Sequence, residues 1–256
     1  MAGTLVSLRP LWEADDRFGR RGAPCLLEDG TRLVYSPAQR LVLEPWTAER
    51  GPAFFSGDDE PRWLAATSPA SAQALQQQPL ACQALVAQAG RLRWAAVGEG
   101  SAQALRPVLS QLGLDAPVVC PDGPGDAHAL MERLSGEQPG AIALLESTDN
   151  RAVLAQGLEQ AGWRVWRWAL YRREPLPLIR LADLERPLWI LLSSSGQVRA
   201  ALDDLAGQGL TPDQARWLVH HPTIEAVLRS ACPSAQILRL ASPNEADAAT
   251  AIKLNP

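Results

Sequence analysis

Four segments of the chain share one hydrophobic outline: "RWLAATSPASAQAL" from Arg62, "RWAAVGEGSAQAL" from Arg93, "LWILLSSSGQVRAAL" from Leu188 and "RWLVHHPTIEAVL" from Arg216. Each places a Trp and a short apolar run ahead of a small polar turn. A run with helical spacing follows and closes on Leu. Trp63 pairs with Trp94, and Trp189 with Trp217, at similar separations. A short apolar run, a turn and a helical period, repeated at this pitch, predict parallel βαβ units with right-handed crossovers. The pair of pairs predicts two similar α/β halves.

Between the halves, "PVVCPDG" (117–123) reads as a short strand and turn, and "GDAHALMERLSG" (125–136) as a helix. "AIALLES" (141–147) reads as a buried strand and "NRAVLAQGLEQAG" (150–162) as a helix. "WRVWRWALYRREPLP" then alternates as a long strand that Pro175 and Pro177 stop. That strand is a crossing from one domain to the other, and "RLVLEPW" (40–46) is placed as the second. The expected layout is discontinuous: residues 1–44 plus 173–256 form a terminal domain, and 45–172 an inserted middle domain. The fold class expected is α/β, two parallel-sheet domains joined by a two-stranded connection, with a ligand cleft between them.

The composition, 46% hydrophobic and 20% charged over 256 residues, is that of a globular protein. The formal charge of −4 argues against a nucleic-acid or membrane-surface partner, which would call for a basic stripe. No apolar run approaches the roughly 20 residues of a membrane span. "MAGTLVSLRPLWEADD" meets charge too early for a secretory signal, so a cytoplasmic location is expected. Cys25, Cys82, Cys120 and Cys232 are widely spaced with no CxxC pair, which predicts single thiols rather than a disulfide framework or a zinc site.

The turns carry the candidate chemistry. In a parallel α/β sheet, strand C-terminal ends and helix N-termini share one edge, where ligands bind. Unpaired amides and the helix dipole make that edge receptive to anions. In "TSPAS", Thr67 leads, Ser68 suits an N-cap and Pro69 the first helical position. "GEGS" offers Gly98, Gly100 and Ser101; "SSSG" offers Ser194, Ser195 and Gly196; "HHPTI" offers His221 and Thr223. Such residues cap helices in any α/β protein; four of these turns in two halves favour a carboxylate- or phosphate-binding cleft. There is no GxxxxGK[ST], and "GEG" lacks the third glycine of GxGxxG, so a nucleotide site is not supported. His220 and His221, adjacent on a strand, point to opposite faces, and a metal site is rejected.

The ordered set "WLAATSPASAQAL", "WAAVGEGSAQALRPVLSQLG", "ALYRREP", "LLSSSGQVRAAL", "HHPTIEAVLRSA" and "ASPNEADAATAI", from Trp63 to Ile252, resembles the uroporphyrinogen-III synthase family. The resemblance implies two α/β domains and cofactor-free cyclisation of linear hydroxymethylbilane to uroporphyrinogen III. Ring D is inverted through a spiro intermediate, a hydro-lyase type of reaction. It implies a small-molecule substrate with eight carboxylates, and a monomer is expected. Tyr171, in "LYRRE", matches a tyrosine that the family places at its cleft and is the candidate proton donor. Arg172 and Arg173 could pair with carboxylates, with exposed surface arginines as the first reading. Arg9 is a candidate carboxylate ligand.

Two stretches depart from the family's pattern. "ESTDN" (146–150) is acidic where the family often has a basic or glycine-rich loop, with Arg151 as a compensating charge. The N-terminal stretch keeps Arg9-Pro10 but offers only a short charged helix, and "LEDGTRLVYSPAQRLVLEP" reads as a hairpin turning at Asp29-Gly30. These departures favour one alternative, a non-catalytic relative that binds a tetrapyrrole or other polycarboxylate. A generic two-domain receptor is a weaker alternative.

Overall fold

A computed structural model describes residues 3–12, 14–47, 52–55, 62–123 and 125–255. Much of the polar stretch between Thr47 and Glu60 lies outside the described residues. The chain divides into two compact units, one of Met1–Leu41 with Glu174–Pro256 and one of Val42–Arg173. Two strands cross the division, β5 (Gln39–Leu43) and β10 (Arg164–Pro175).

The unit containing both chain ends opens with β1 (Thr4–Ser7), β2 (Leu11–Trp12), α1 (Asp16–Gly19), β3 (Pro24–Leu26) and β4 (Arg32–Tyr35). After β10 come β11 (Leu188–Leu192), α8 (Gly196–Gly207), β12 (Ala215–Val219), α9 (Pro222–Ala231), β13 (Gln236–Arg239) and α10 (Glu245–Leu254). Its sheet runs β13-β12-β11-β1-β4-β3, parallel except for the β3–β4 hairpin. Strand alternation divides its apolar residues between two faces. Val6, Ile190, Leu192, Trp217 and Val219 join the core under α8 and α9, while Leu5, Trp189, Leu191 and Leu218 meet α10. Strands buried on both faces explain the continuous apolar runs in the sequence.

The middle unit holds α2 (Pro52–Phe55), β6 (Arg62–Ala66), α3 (Pro69–Gln76), α4 (Pro79–Val86), β7 (Leu92–Ala96) and α5 (Glu99–Gln111). It continues with β8 (Val118–Val119), α6 (Ala127–Leu134), β9 (Ala141–Ser147) and α7 (Val153–Gln160). The second sheet has the order β2-β5-β10-β9-β6-β7-β8. β6, β7, β8, β9 and β10 are parallel, so their C-terminal ends lie along one edge. The α/β fold class expected from the four repeated segments is the one found.

Two local features depart from regular strand geometry. The Asp29-Gly30 hairpin forms between β3 and β4: Gly30 takes a φ of 84°, which favours glycine, and the Thr31 amide donates to Asp29 Oδ1 at 2.9 Å. The long strand β10 does not keep the simple alternation its sequence suggests. Ala169 pairs with Glu146 and Tyr171 with Ser147, which leaves Leu170 as an extra residue in a bulge. The bulge resets the direction of the side chains beyond it and leaves both Leu170 and Tyr171 fully buried. Seven of the Trp residues, at 46, 63, 94, 163, 168, 189 and 217, are core. The four cysteines are free thiols. Among the described residues no helix is long and apolar enough to cross a membrane.

Candidate functional site

In the middle unit, β6 ends at Ala66 and delivers Thr67-Ser68 to α3. Ser68 is the N-cap, its Oγ accepting from the Ser71 amide at 3.1 Å, and Pro69 opens the helix. The amides of Ser68 and Ala70 have no acceptor among the described residues. Thr67 is tied down instead: its amide and its Oγ1 both donate to the Leu145 carbonyl, at 3.1 and 2.9 Å. The next strand, β7, delivers Gly98 as the N-cap of α5. The Gly98, Glu99 and Gly100 amides have no acceptor among the described residues.

Gly98 is buried, and its α-carbon packs on the backbone of Gly125: a Cβ added at Gly98 would lie 2.9 Å from the Gly125 α-carbon. Its lack of a side chain thus serves close packing of the chain on itself. Gly100 is exposed, with open space where a Cβ would stand. Ser101 is 4% exposed, its amide bonded to the Gly98 carbonyl. Glu99, at the first turn of α5, is held by Arg106 at 2.7 Å, which lowers its carboxyl to about 2.

Tyr171 and the turn at Ser68 are joined. The phenol oxygen lies 2.9 Å from Ser68 Oγ and accepts from Arg173 Nη2 at 3.0 Å. Arg173 also donates to Ser147 Oγ at 2.6 Å and to Asp149 Oδ1 at 2.9 Å, and its guanidinium lies over the Tyr171 ring. Tyr171 itself has no exposed surface. The phenol therefore meets the sheet edge through Ser68.

Both neighbouring arginines pair with carboxylates, and the Arg172 side chain keeps 42% of its surface exposed. Arg172 pairs with Glu44 at 2.7 Å, and Arg173 is built into the tyrosine's surroundings. The acidic "ESTDN" loop is neutralised by partners other than Arg151. Glu146, 2% exposed, accepts from Arg167 Nε and from Asn150 Nδ2, and Asp149 pairs with Arg173.

In the unit of the chain ends, β1, β11 and β12 lie side by side and end along one edge. Arg9 does meet a carboxylate, the chain's own: Glu245 Oε2 accepts from it at 3.1 Å, and Glu245 Oε1 accepts from Ser7 Oγ at 2.9 Å. The Ser193–Ser195 turn precedes α8. Ser194 is part-exposed, and its amide and that of Ser193 are taken by Gln197 Oε1, at 3.2 and 2.8 Å. The amides of Ser195 and Gly196 have no acceptor among the described residues. His221 is the N-cap of α9, its Nδ1 accepting from the exposed Thr223 amide at 3.2 Å. Imidazole is an uncommon cap, and this use leaves Nε2 to point away from the helix.

His220, one residue earlier, is partly buried with Nδ1 unpartnered among the described residues. Burial holds its imidazole below the ordinary value of 6.5, and the nearby His221 adds to the effect. The folded state thus binds this proton less readily than the unfolded chain. His220 supports stability above pH 6.5, and that support is lost as pH falls from there through its lowered folded value. Denaturant titrations between about pH 7.5 and 5 are expected to show a decline that His220→Gln makes shallower.

Sequence reasoning missed three residues that organise these edges: Gln197, Glu245 and Arg173. Gln197 and Glu245 lie inside quoted segments, but each also bonds a residue far away in sequence, Leu8 and Arg9, which those segments do not reveal.

The fold and these edges define a protein of two parallel α/β sheets, each with helix-start turns gathered where its strands end. A family model described as Uroporphyrinogen-III synthase HemD matches residues 26–236. The chain belongs to that family. Among solved structures it is similar to a mutant uroporphyrinogen III synthase from Thermus thermophilus, at 20% identity and a TM-score of 0.58, covering 91% of this chain and 92% of that one. It is also similar to uroporphyrinogen-III synthetase from Helicobacter pylori, at 13% identity and a TM-score of 0.55, covering 96% and 99%. At these identities the structures support the fold. No curated protein matches by sequence.

Proposed function

We propose that the chain is a uroporphyrinogen-III synthase that closes hydroxymethylbilane to uroporphyrinogen III with inversion of ring D. The observation that carries the reading is the set of helix-start amides without acceptors among the described residues, at Ser68 and Ala70, Gly98 to Gly100, and Ser195-Gly196, in a chain of this family. A substrate with eight carboxylates needs many donors. Backbone amides at helix starts bind carboxylates through charge-assisted bonds without a basic surface, which accords with a net charge of −4. Loss of the terminal hydroxyl is assisted by the electron-rich pyrrole, so the protein's task is to hold the chain in the shape that favours inversion over direct closure. The reaction as proposed uses no metal or organic cofactor.

Binding of the oxidised product tests the role of the amides. Backbone amide shifts, followed while uroporphyrin III is added, are expected to concentrate at Ser68, Ala70, Gly100, Ser195 and Gly196. The octamethyl ester is expected to leave them in place. Equal binding of ester and acid would overturn the assignment.

Two observations favour a second reading, a binder without activity. Arg9 is already paired with Glu245, and Tyr171 is fully buried. Turnover separates the two, since a binder would shift the same amides and form no cyclised product above the spontaneous background.

A further inference from the structure

Resting on the synthase reading, we propose that Ser68 is the catalytic proton donor to the departing hydroxyl, recharged by Tyr171, with Arg173 as the positioning residue that directs the phenol's hydrogen. Arg173 has only donors and gives one to the phenol oxygen at 3.0 Å; in the proposed relay the phenol gives its own hydrogen to Ser68 Oγ at 2.9 Å, a pair in which either oxygen can donate. Ser68 Oγ accepts that hydrogen together with the Ser71 amide at 3.1 Å, and both of its lone pairs are then used. Its own hydrogen is the one left to give, either to Ser71 Oγ at 3.0 Å or outward. Of the pair, Ser68 is part-exposed while Tyr171 is 0% exposed, so Ser68 is the member a substrate can touch. The bulge at Leu170 and the bonds from Arg173 to Ser147 and Asp149 hold the phenol in this place.

The step balances. The bond between the terminal methylene carbon and its hydroxyl oxygen breaks, and the oxygen keeps the electron pair. That oxygen takes the Ser68 proton and leaves as water. Ser68 takes the Tyr171 proton, a phenol being a far stronger acid than an alcohol, and the Arg173 guanidinium faces the resulting phenolate. The positive charge left on carbon spreads into the pyrrole. When the closing ring carbon later loses its hydrogen to restore aromaticity, that proton returns to the relay. The net change is bilane to macrocycle plus water.

The test measures type III product formed by wild type, Ser68→Ala, Ser68→Thr, Tyr171→Phe and the double variant Ser68→Ala/Tyr171→Phe, with near-ultraviolet circular dichroism to check folding. Positioned acid catalysis contributes on the order of a hundredfold or more. Ser68→Ala is expected to lower kcat about 100-fold with KM little changed, and Ser68→Thr to restore most of the rate. Tyr171→Phe is expected to slow turnover about 10-fold without abolishing it. The double variant should be no slower than Ser68→Ala alone, because the two act in series. A bilane ending in an acetate ester, which leaves without needing a proton, should erase the Ser68→Ala defect; a purely structural role for Ser68 would leave the defect in place.

A folded Ser68→Ala enzyme with wild-type kcat, a multiplicative double variant, or no rescue by the ester would each overturn the relay while the synthase reading stood. Absence of type III product from wild type would instead overturn the synthase reading itself.

Discussion

Gly125→Ala is expected to destabilise the middle unit by about 3–5 kcal/mol, at the upper end of what overpacking a single site costs. A Cβ at this position would lie 2.1 Å from the Val97 carbonyl oxygen and 2.3 Å from the Gly98 α-carbon. Both are backbone atoms at the point where β7 turns into α5, so no side chain can swing aside. The segment around Gly125 must lift away or the Gly98 turn must shift, and the amides of Gly98 to Gly100 shift with it. Urea unfolding, followed on the transition of the middle unit, is expected to move to markedly lower denaturant, and the shifts at Gly100 on adding uroporphyrin III should fade. Gly100→Ala supplies the contrast. Its added methyl meets nothing within 4 Å, so stability should hold or rise by up to about 1 kcal/mol. A Gly125→Ala protein as stable as wild type would mean that the two glycine backbones do not pack as described.

Gln197→Leu is expected to cost about 3 kcal/mol and to weaken substrate binding several-fold. Gln197 is 0% exposed and ties two chain segments together. Its Oε1 accepts from the Ser193 and Ser194 amides, and its Nε2 donates to the Leu8 carbonyl at 2.8 Å. Leucine fills the space but offers neither bond. Two amides then lose their acceptor and a carbonyl loses one of its donors, each buried group at a cost of about 1–3 kcal/mol, with partial relief from relaxation. The Ser193–Ser195 turn and the stretch leading to Arg9 should both loosen. Hydrogen exchange at Ser193 and Ser194 is expected to accelerate well beyond the change in global stability, and KM to rise more than kcat falls. Unchanged exchange at these amides would show that the turn holds itself.

These two residues mark the division between what local sequence carries and what it does not. The strand–turn–helix units were legible because each is set by residues close together in the chain. Ser68 caps and Pro69 opens α3 as their chemistry dictates, and Asp29-Gly30 turns its hairpin for the same reason. The contacts that organise the candidate site are not local. Gln197 reaches back to Leu8, and Arg9 is claimed by Glu245 near the other end of the chain. The meeting of Gly98 with Gly125 leaves no trace in either segment, since glycine at a helix start has a local explanation that suffices. Nor does apolar alternation reveal a bulge: "WRWALYRRE" reads as an even strand, yet the extra residue at Leu170 decides where the phenol of Tyr171 goes. The acidic loop looked unhelpful for the same reason, because Arg167 and Arg173, which neutralise it, come from the neighbouring strand β10.

The central claim is that this chain directs the closure of hydroxymethylbilane toward the inverted isomer. It is tested most directly by generating the bilane in place, adding the purified protein, oxidising the products and separating the isomers by chromatography. The expected result is a dominant type III product that grows with protein concentration above the spontaneous type I background. Only type I product, from folded protein whose helix-start amides still respond to uroporphyrin III, would contradict it and leave a binder.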